Sequence, residues 1–207
     1  MSNSEYFDDV ASRWDEMRSG FYSANVRDAA LAAGCVEPGM TAADIGGGTG
    51  FITEGLVDKG LRVIAVDQSA AMLTEMEKKF RESGDLDYRV GEASNLPIAD
   101  AALDCAFANM YLHHVPAPGE AVKEMARTLK PGGRLVITDL DAHDFEFLRE
   151  EHHDRWMGFE RSDLERWFRE AGLSVVSVKD AGESCRAESA CGTESASVSI
   201  FVASGVK

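Results

Sequence analysis

The chain has 207 residues, enough for one α/β domain with a sizeable core, and 36 acidic residues against 21 lysines and arginines give a formal net charge of −15. With no cluster of basic residues to offset that charge, nucleic acid and an anionic membrane surface are both excluded as expected partners, which leaves a small molecule. The N-terminal stretch MSNSEYFDDVASRWDEM holds neither a basic nor an apolar leader, and no window approaches the roughly 18 apolar residues of a membrane span, so a cytoplasmic protein is expected. Cys35, Cys105, Cys185 and Cys191 are too sparse for a disulfide framework and form no paired CxxC unit. No metal is expected, and oligomeric state is not legible.

Ser2 with Glu5 reads as a capping box, and Tyr6, Phe7, Val10, Trp14 and Met17 recur at helical spacing, which predicts one amphipathic helix over 4–17. A second helix is predicted over 25–33, ending at Gly34. From Met40 onward strands and helices alternate: a strand at 42–45, a helix at 51–59 closed by Gly60, the apolar run RVIAVD (62–67), and a helix presenting Met72, Leu73, Met76 and Phe80. Strands at 88–90 and 103–108 follow, then a helix at 121–129, a turn at KPGG (130–133) and a strand at 134–138. Ser162 and Glu165 suggest a second capping box, opening a helix with Leu164, Trp167 and Phe168 that stops at Gly172. Two β-like stretches, 173–180 and 197–204, close the chain, with a polar loop holding Cys185 and Cys191 between them. Repeated βα units imply a doubly wound parallel sheet with helices on both faces and a ligand site at the carboxyl ends of the strands. One domain is expected: lid helices over 1–38, a core over 39–140, and a substrate-facing segment with the last strands over 141–207.

DIGGGTG (44–50) is the most informative stretch. A phosphate loop would need lysine after the last glycine, where Phe51 stands. A dinucleotide fingerprint would need Gly or Ala at 51, and no second dinucleotide half follows, so an NAD-dependent oxidoreductase is the poorer reading. Asp44, Gly46, Gly48 and Gly50 instead form a tight turn that bares backbone N–H groups at a helix N-terminus, suited to a carboxylate as well as a phosphate. Asp67 ends the next strand, where it could accept from two vicinal ribose hydroxyls. A ligand with a ribose, a carboxylate and an amine, but no phosphate, is indicated.

With DIGGGTG, VIAVDQS (63–69), GEASNLPIADAALDCAFANMYLHHV (91–115) and RTLKPGGRLVI (127–137) in order, the chain resembles the class I S-adenosylmethionine-dependent methyltransferases of the small-molecule type related to ubiquinone-biosynthesis enzymes. The resemblance implies a Rossmann-like sheet of seven strands, mostly parallel, with the last strand inserted antiparallel. It implies S-adenosyl-L-methionine as cofactor, with Gly46, Gly48 and Gly50 lining the methionine moiety, Asp67 on the ribose, Gln68 beside the adenine, Glu92 and Ala93 at its edge, and Asn109 beneath the sulfonium. Asp44 and Met72 are counted with them. Family members more often carry Asp where Glu92 stands.

Methyl transfer from a sulfonium is an in-line displacement, for which alignment and exclusion of water are the main requirements, and a base is needed only by a protonated nucleophile. His113 and His114 follow the fourth strand and could act as a base or flank the cofactor; Asp139 and Asp141 follow the fifth and could orient a substrate or cap the next element. His143, His152, His153 and Trp156 lie in the segment expected over the substrate. Tyr6, Phe7, Trp14, Phe21 and Tyr22 could form a lid, with Trp14 and Tyr22 nearest the ligand. Cys185 and Cys191 could together hold a thiophilic acceptor such as trivalent arsenic, with Cys35 or Cys105 as third ligand; a small-molecule acceptor of another kind and a non-catalytic cofactor-binding protein are the other readings.

Overall fold

The computed structural model describes residues 3–83 and 85–207, so the Ser2 capping box lies outside the described residues. The first predicted helix is broken into α1 (Asn3–Val10), a 3₁₀ turn (Ala11–Arg13) and α2 (Trp14–Ser19). The bend has a purpose in the packing: it carries Asp8 to Ser69 and Asp15 to Thr49, two anchors on different loops. Helix α3 (Ala24–Gly34) is capped by Ser23, whose hydroxyl accepts from the Asn25 amide, and stops where Cys35 turns left-handed.

The alternating segment forms β1 (Thr41–Ile45), α4 (Phe51–Asp58), β2 (Arg62–Asp67), α5 (Ala70–Lys79), β3 (Leu86–Val90), β4 (Leu103–Asn109), α6 (Pro118–Thr128) and β5 (Leu129–Leu140). KPGG is a bulged part of β5 rather than a turn before it: pairing with β4 shifts register between Leu103 and Cys105, and Gly132 takes φ 82°. The bulge is tied to the chain's end by the Gly132 amide on Lys207 O and the Lys207 amide on Gly133 O. Helix α7 (Glu146–His152) precedes α8 (Arg161–Glu170). The second capping box does not form. Glu160 is the N-cap, without a side-chain bond, and Ser162 is already inside the helix behind Arg161, whose guanidinium is held by Asp141 at 2.6 and 2.8 Å.

Strands β6 (Ser174–Glu188) and β7 (Ser195–Val206) complete a seven-stranded sheet of order β3-β2-β1-β4-β5-β7-β6. The first five are mutually parallel; β7 runs antiparallel to both β5 and β6. β6 therefore runs parallel to the central strands, so its end lies on the same side as theirs. It is also longer than predicted and takes Cys185 into the ladder opposite Val198, which removes that cysteine from any loop.

Strand alternation feeds two cores. Ala43, Ile64, Ala106 and Ile137 face α6 and α8, while Ala42, Val63, Phe107 and Val136 face α3 and α4. Because both faces are covered, the parallel strands read as continuous apolar runs rather than alternating ones. This sandwich holds the carboxyl ends of β1, β2, β4 and β5 in one rigid row, and the functional loops stand on them.

Candidate active site

After β1 the glycine loop turns through positive φ at Gly46 (67°), Gly48 (53°) and Gly50 (94°). At Gly46 close approach adds to the backbone demand, since a Cβ would stand 2.2 Å from the Tyr111 ring. Two motifs far apart in sequence are joined here: the Gly48 amide donates to Asp67 Oδ2 and the Ser69 amide to Asp67 Oδ1, both at 2.9 Å. Burial raises the Asp67 carboxyl above its ordinary value, against the pull of those amides. Asp44 does not face the ligand space. It is buried beneath the loop, where Oδ2 accepts from the amide and hydroxyl of Thr53 and locks α4 to β1; burial pushes its pKa up to about 6.

Over the loop lies a cavity bordered by Gly46, Gly48, Asp67, Gln68, Met72 and Asn109. Gly50 and Asp44 lie outside its lining, as do Glu92, bridged to Asn95, and buried Ala93. Tyr111, which the sequence reading passed over, fills the space between the loop and that segment. Asn109 is fixed at both ends of its amide, accepting from Thr138 Oγ1 at 2.8 Å and donating to the Tyr22 hydroxyl at 3.1 Å. Buried Tyr22 packs edge-on against Phe51 at 5.4 Å.

The aromatic N-terminal segment does cover this cavity. Trp14 Nε1 lies 3.4 Å from the position of a Cβ on Gly48, and Phe7 and Trp14 meet edge to face. Asp8 accepts from Ser69 Oγ at 2.6 Å and Asp15 from Thr49 Oγ1 at 2.7 Å, so this segment is latched to the loops after β1 and β2. Arg18 was also missed. It lies over the Phe51 ring at 4.4 Å, borders the cavity, and its Nε is buried without a hydrogen-bond partner. A basic residue in an acidic amphipathic helix carries no sequence signal of such a role.

A second cavity adjoins the first; Phe7, Trp14, Tyr22, Met110 and His114 border both. Met110 sits at the junction with φ 49°, a conformation that a non-glycine residue adopts at a cost. On the far wall are His113 and Asp154, with Cys185 and His152 nearby. His113 Nδ1 is 2.6 Å from Asp139 Oδ1, and Asp139 also accepts from the amides of Leu112, His113 and Leu140. Fully buried Asp139 borders neither cavity; it holds the amides that open the 3₁₀ turn at 112–114, upstream rather than in the next element, and fixes the orientation of His113. Burial alone would depress the His113 pKa, but the carboxylates of Asp139 and Asp154 overcome it and raise it to about 9. His114, by contrast, is held well below its usual range by burial and by His113.

The remaining assignments move away. His143 accepts from the Phe145 amide and borders neither cavity, and Trp156 is partly exposed, donating to Val115 O. Cys191 lies in the exposed turn after β6, three residues beyond its end, whereas Cys185 is three residues inside it; at ~3.3 Å per residue the two thiols cannot chelate one atom. Cys35 is exposed at the end of α3 and Cys105 is buried mid-strand in the core, so neither completes a thiol site. Asp154 was not recognised, although it directly follows the His152–His153 pair.

Residues 43–137 match the family model described as a methyltransferase domain. The chain is 38% identical over 136 residues to the demethylmenaquinone methyltransferase of Paenarthrobacter aurescens, covering 64% of this chain and 53% of that protein. It is 31% identical over 194 residues to the ubiquinone biosynthesis O-methyltransferase of Alkalilimnicola ehrlichii, covering 84% of this chain and 78% of that one. The chain spans little more than half the length of the first curated relatives it matches. A chain from the complex between the Haloferax volcanii Trm112 methyltransferase activator and a methyltransferase superposes with a TM-score of 0.80 at 23% identity over 99% of this chain and 97% of that one, a likeness of fold. The glycine loop, the acid at the end of β2, the strand order and these extents of likeness agree, and the chain belongs to the class I S-adenosylmethionine-dependent methyltransferases related to the ubiquinone-biosynthesis enzymes.

Proposed function

We propose that this chain transfers the methyl group of S-adenosylmethionine to the hydroxyl of a small ring compound. The observation that carries this reading is the junction of the two cavities at Tyr22, Met110 and His114, which lets a ligand over the glycine loop present its reactive end to whatever occupies the second cavity. The first cavity suits the cofactor: Asp67 retains lone pairs for two ribose hydroxyls, Gln68 and Met72 flank the adenine position, and the orphaned Arg18 Nε supplies a cation for the methionine carboxylate. Bound there, the cofactor supplies an electrophilic methyl on a sulfonium. The protein's part is alignment and exclusion of water: Asn109, pinned by Tyr22 and Thr138, gives the methyl end a rigid floor, and the latched Phe7 and Trp14 close it off.

The second cavity is walled by Phe7, Phe21, Tyr22 and Leu148, with His113, His114 and Asp154 at one end. Such a site, mostly apolar with a few convergent polar groups, favours a ring carrying an acidic hydroxyl over a peptide or a sugar. The name of the ubiquinone-biosynthesis relative, an O-methyltransferase, agrees with that class of acceptor. A screen of hydroxylated rings, amines and thiols, reading release of S-adenosylhomocysteine, tests it. Turnover confined to hydroxylated rings is expected. Cofactor binding without turnover on any class would favour the non-catalytic reading.

A further inference from the structure

We propose that His113, His114 and Asp154 form a site for a divalent first-row transition ion, zinc in character, whose open position faces the second cavity and takes the substrate's ionised hydroxyl. The role given to the ion rests on the methyltransferase reading; the site itself rests on geometry. Asp154 Oδ1 lies 3.6 Å from His113 Nε2 and 3.9 Å from His114 Nδ1, and one ligand atom from each residue lies within 4.8 Å of the others. These separations are long for hydrogen bonds. The two to Asp154 are close to the ~3.3 Å between ligand atoms that bonds of ~2.0–2.1 Å give in a tetrahedral zinc site, and a small inward rotation of the side chains brings all three onto one ion.

Three further observations converge. Asp139 holds His113 by Nδ1, which turns Nε2 toward Asp154 as in the carboxylate–histidine–metal arrangement. The main chain brings the third ligand in, because the amides of Arg155 and Trp156 both donate to His113 O, at 3.0 and 3.1 Å, and so clamp Asp154 against residues 112–114. Finally, Asp139 and Asp154 are both buried on either side of one imidazole, a setting that favours a cation between them. A dication balances the pair. Ligation by His114 Nδ1 would replace its long contact, 3.4 Å, to His153 O. Two imidazoles and one carboxylate select zinc and its neighbours over magnesium or calcium, which prefer all-oxygen sites.

At such an ion the substrate's hydroxyl proton leaves to solvent and the oxygen binds as its anion. Its lone pair then forms the new O–CH₃ bond while the C–S bond breaks with its electrons to sulfur, leaving neutral S-adenosylhomocysteine and the methyl ether.

The test is a Co²⁺ titration of chelator-stripped protein, read by the intense visible absorption of tetrahedral cobalt and reversed by Zn²⁺, with S-adenosylhomocysteine affinity measured on the same samples. One equivalent of Co²⁺ is expected. Asp154→Asn and, independently, His114→Gln should weaken binding by at least about 100-fold and Asp139→Asn by about 10- to 100-fold, while the S-adenosylhomocysteine affinity of Asp154→Asn, whose side chain borders only the second cavity, stays put. Absence of the cobalt spectrum in wild-type protein that binds S-adenosylhomocysteine would overturn the site and leave a protonated His113 as the cation. Cobalt binding undiminished in both ligand variants would overturn it equally. Wild-type protein that fails to bind S-adenosylhomocysteine would sink the methyltransferase reading instead, and with it the role given to the ion.

Discussion

Asp67 holds the Gly48 amide at 2.9 Å, so the carboxylate expected to grip the ribose also sets the shape of the loop that receives the rest of the cofactor. The acid at the end of β2 and the glycine turn after β1 act as one unit. Asp67→Ala should therefore lower S-adenosylmethionine affinity by at least about 100-fold, more than loss of one charge-assisted bond would cost, because the loop loses its tether as well. Calorimetry on the variant checks this; affinity within a few-fold of wild type would mean that the ribose lies elsewhere.

Arg18 provides a sharper division within the same cavity. Arg18→Ala should weaken S-adenosylmethionine by about 10- to 100-fold while leaving adenosine, which has no carboxylate, nearly unaffected. Equal loss for both ligands would assign Arg18 to packing on Phe51 alone.

Asp139 is a positioning residue for His113. Asp139→Asn replaces an acceptor of three amides and an imidazole with a group that must donate through one side. Turnover should fall by about 100-fold with the Km for S-adenosylmethionine unchanged, and steady-state kinetics separates the two. A parallel loss of cofactor affinity would show a purely structural effect.

The fold was legible because the βα periodicity and the apolar runs at 62–67 and 103–108 are local properties of sequence, and the cofactor motifs sit where a parallel sheet must place them. Local reasoning failed where tertiary contacts decide. Nothing in residues 4–17 announces that Asp8 and Asp15 will reach two different loops and break the helix, and Ser162 looks like a cap until Asp141 seizes Arg161 ahead of it. The site was half legible for the same reason. Gly48, Asp67 and Asn109 belong to contiguous motifs, whereas Asp154 reaches His113 across 41 residues through main-chain bonds that no spacing rule reveals. Cys185 and Cys191 misled in the opposite direction: near in sequence, they are parted by the end of β6.

Asp44 gives a pH signature of stability. Its folded pKa of about 6 exceeds the ordinary 3.8, so the native chain binds this proton more tightly than the unfolded one. The contribution is fully present below about pH 4 and is lost as pH rises through 6, with an upper bound of about 3 kcal/mol. In Asp44→Asn the amide oxygen can still accept from Thr53, and that component of the pH dependence should vanish. Urea unfolding of both proteins between pH 4 and 7 checks it; identical pH slopes would contradict the assignment.

The central claim is that the cavity over Gly46–Gly50 holds S-adenosylmethionine, and calorimetric titration of wild-type protein with S-adenosylhomocysteine, with NAD as control, tests it most directly. The account predicts one site per chain with micromolar affinity for S-adenosylhomocysteine and no heat from NAD. Binding of NAD alone, or of neither ligand, would contradict it.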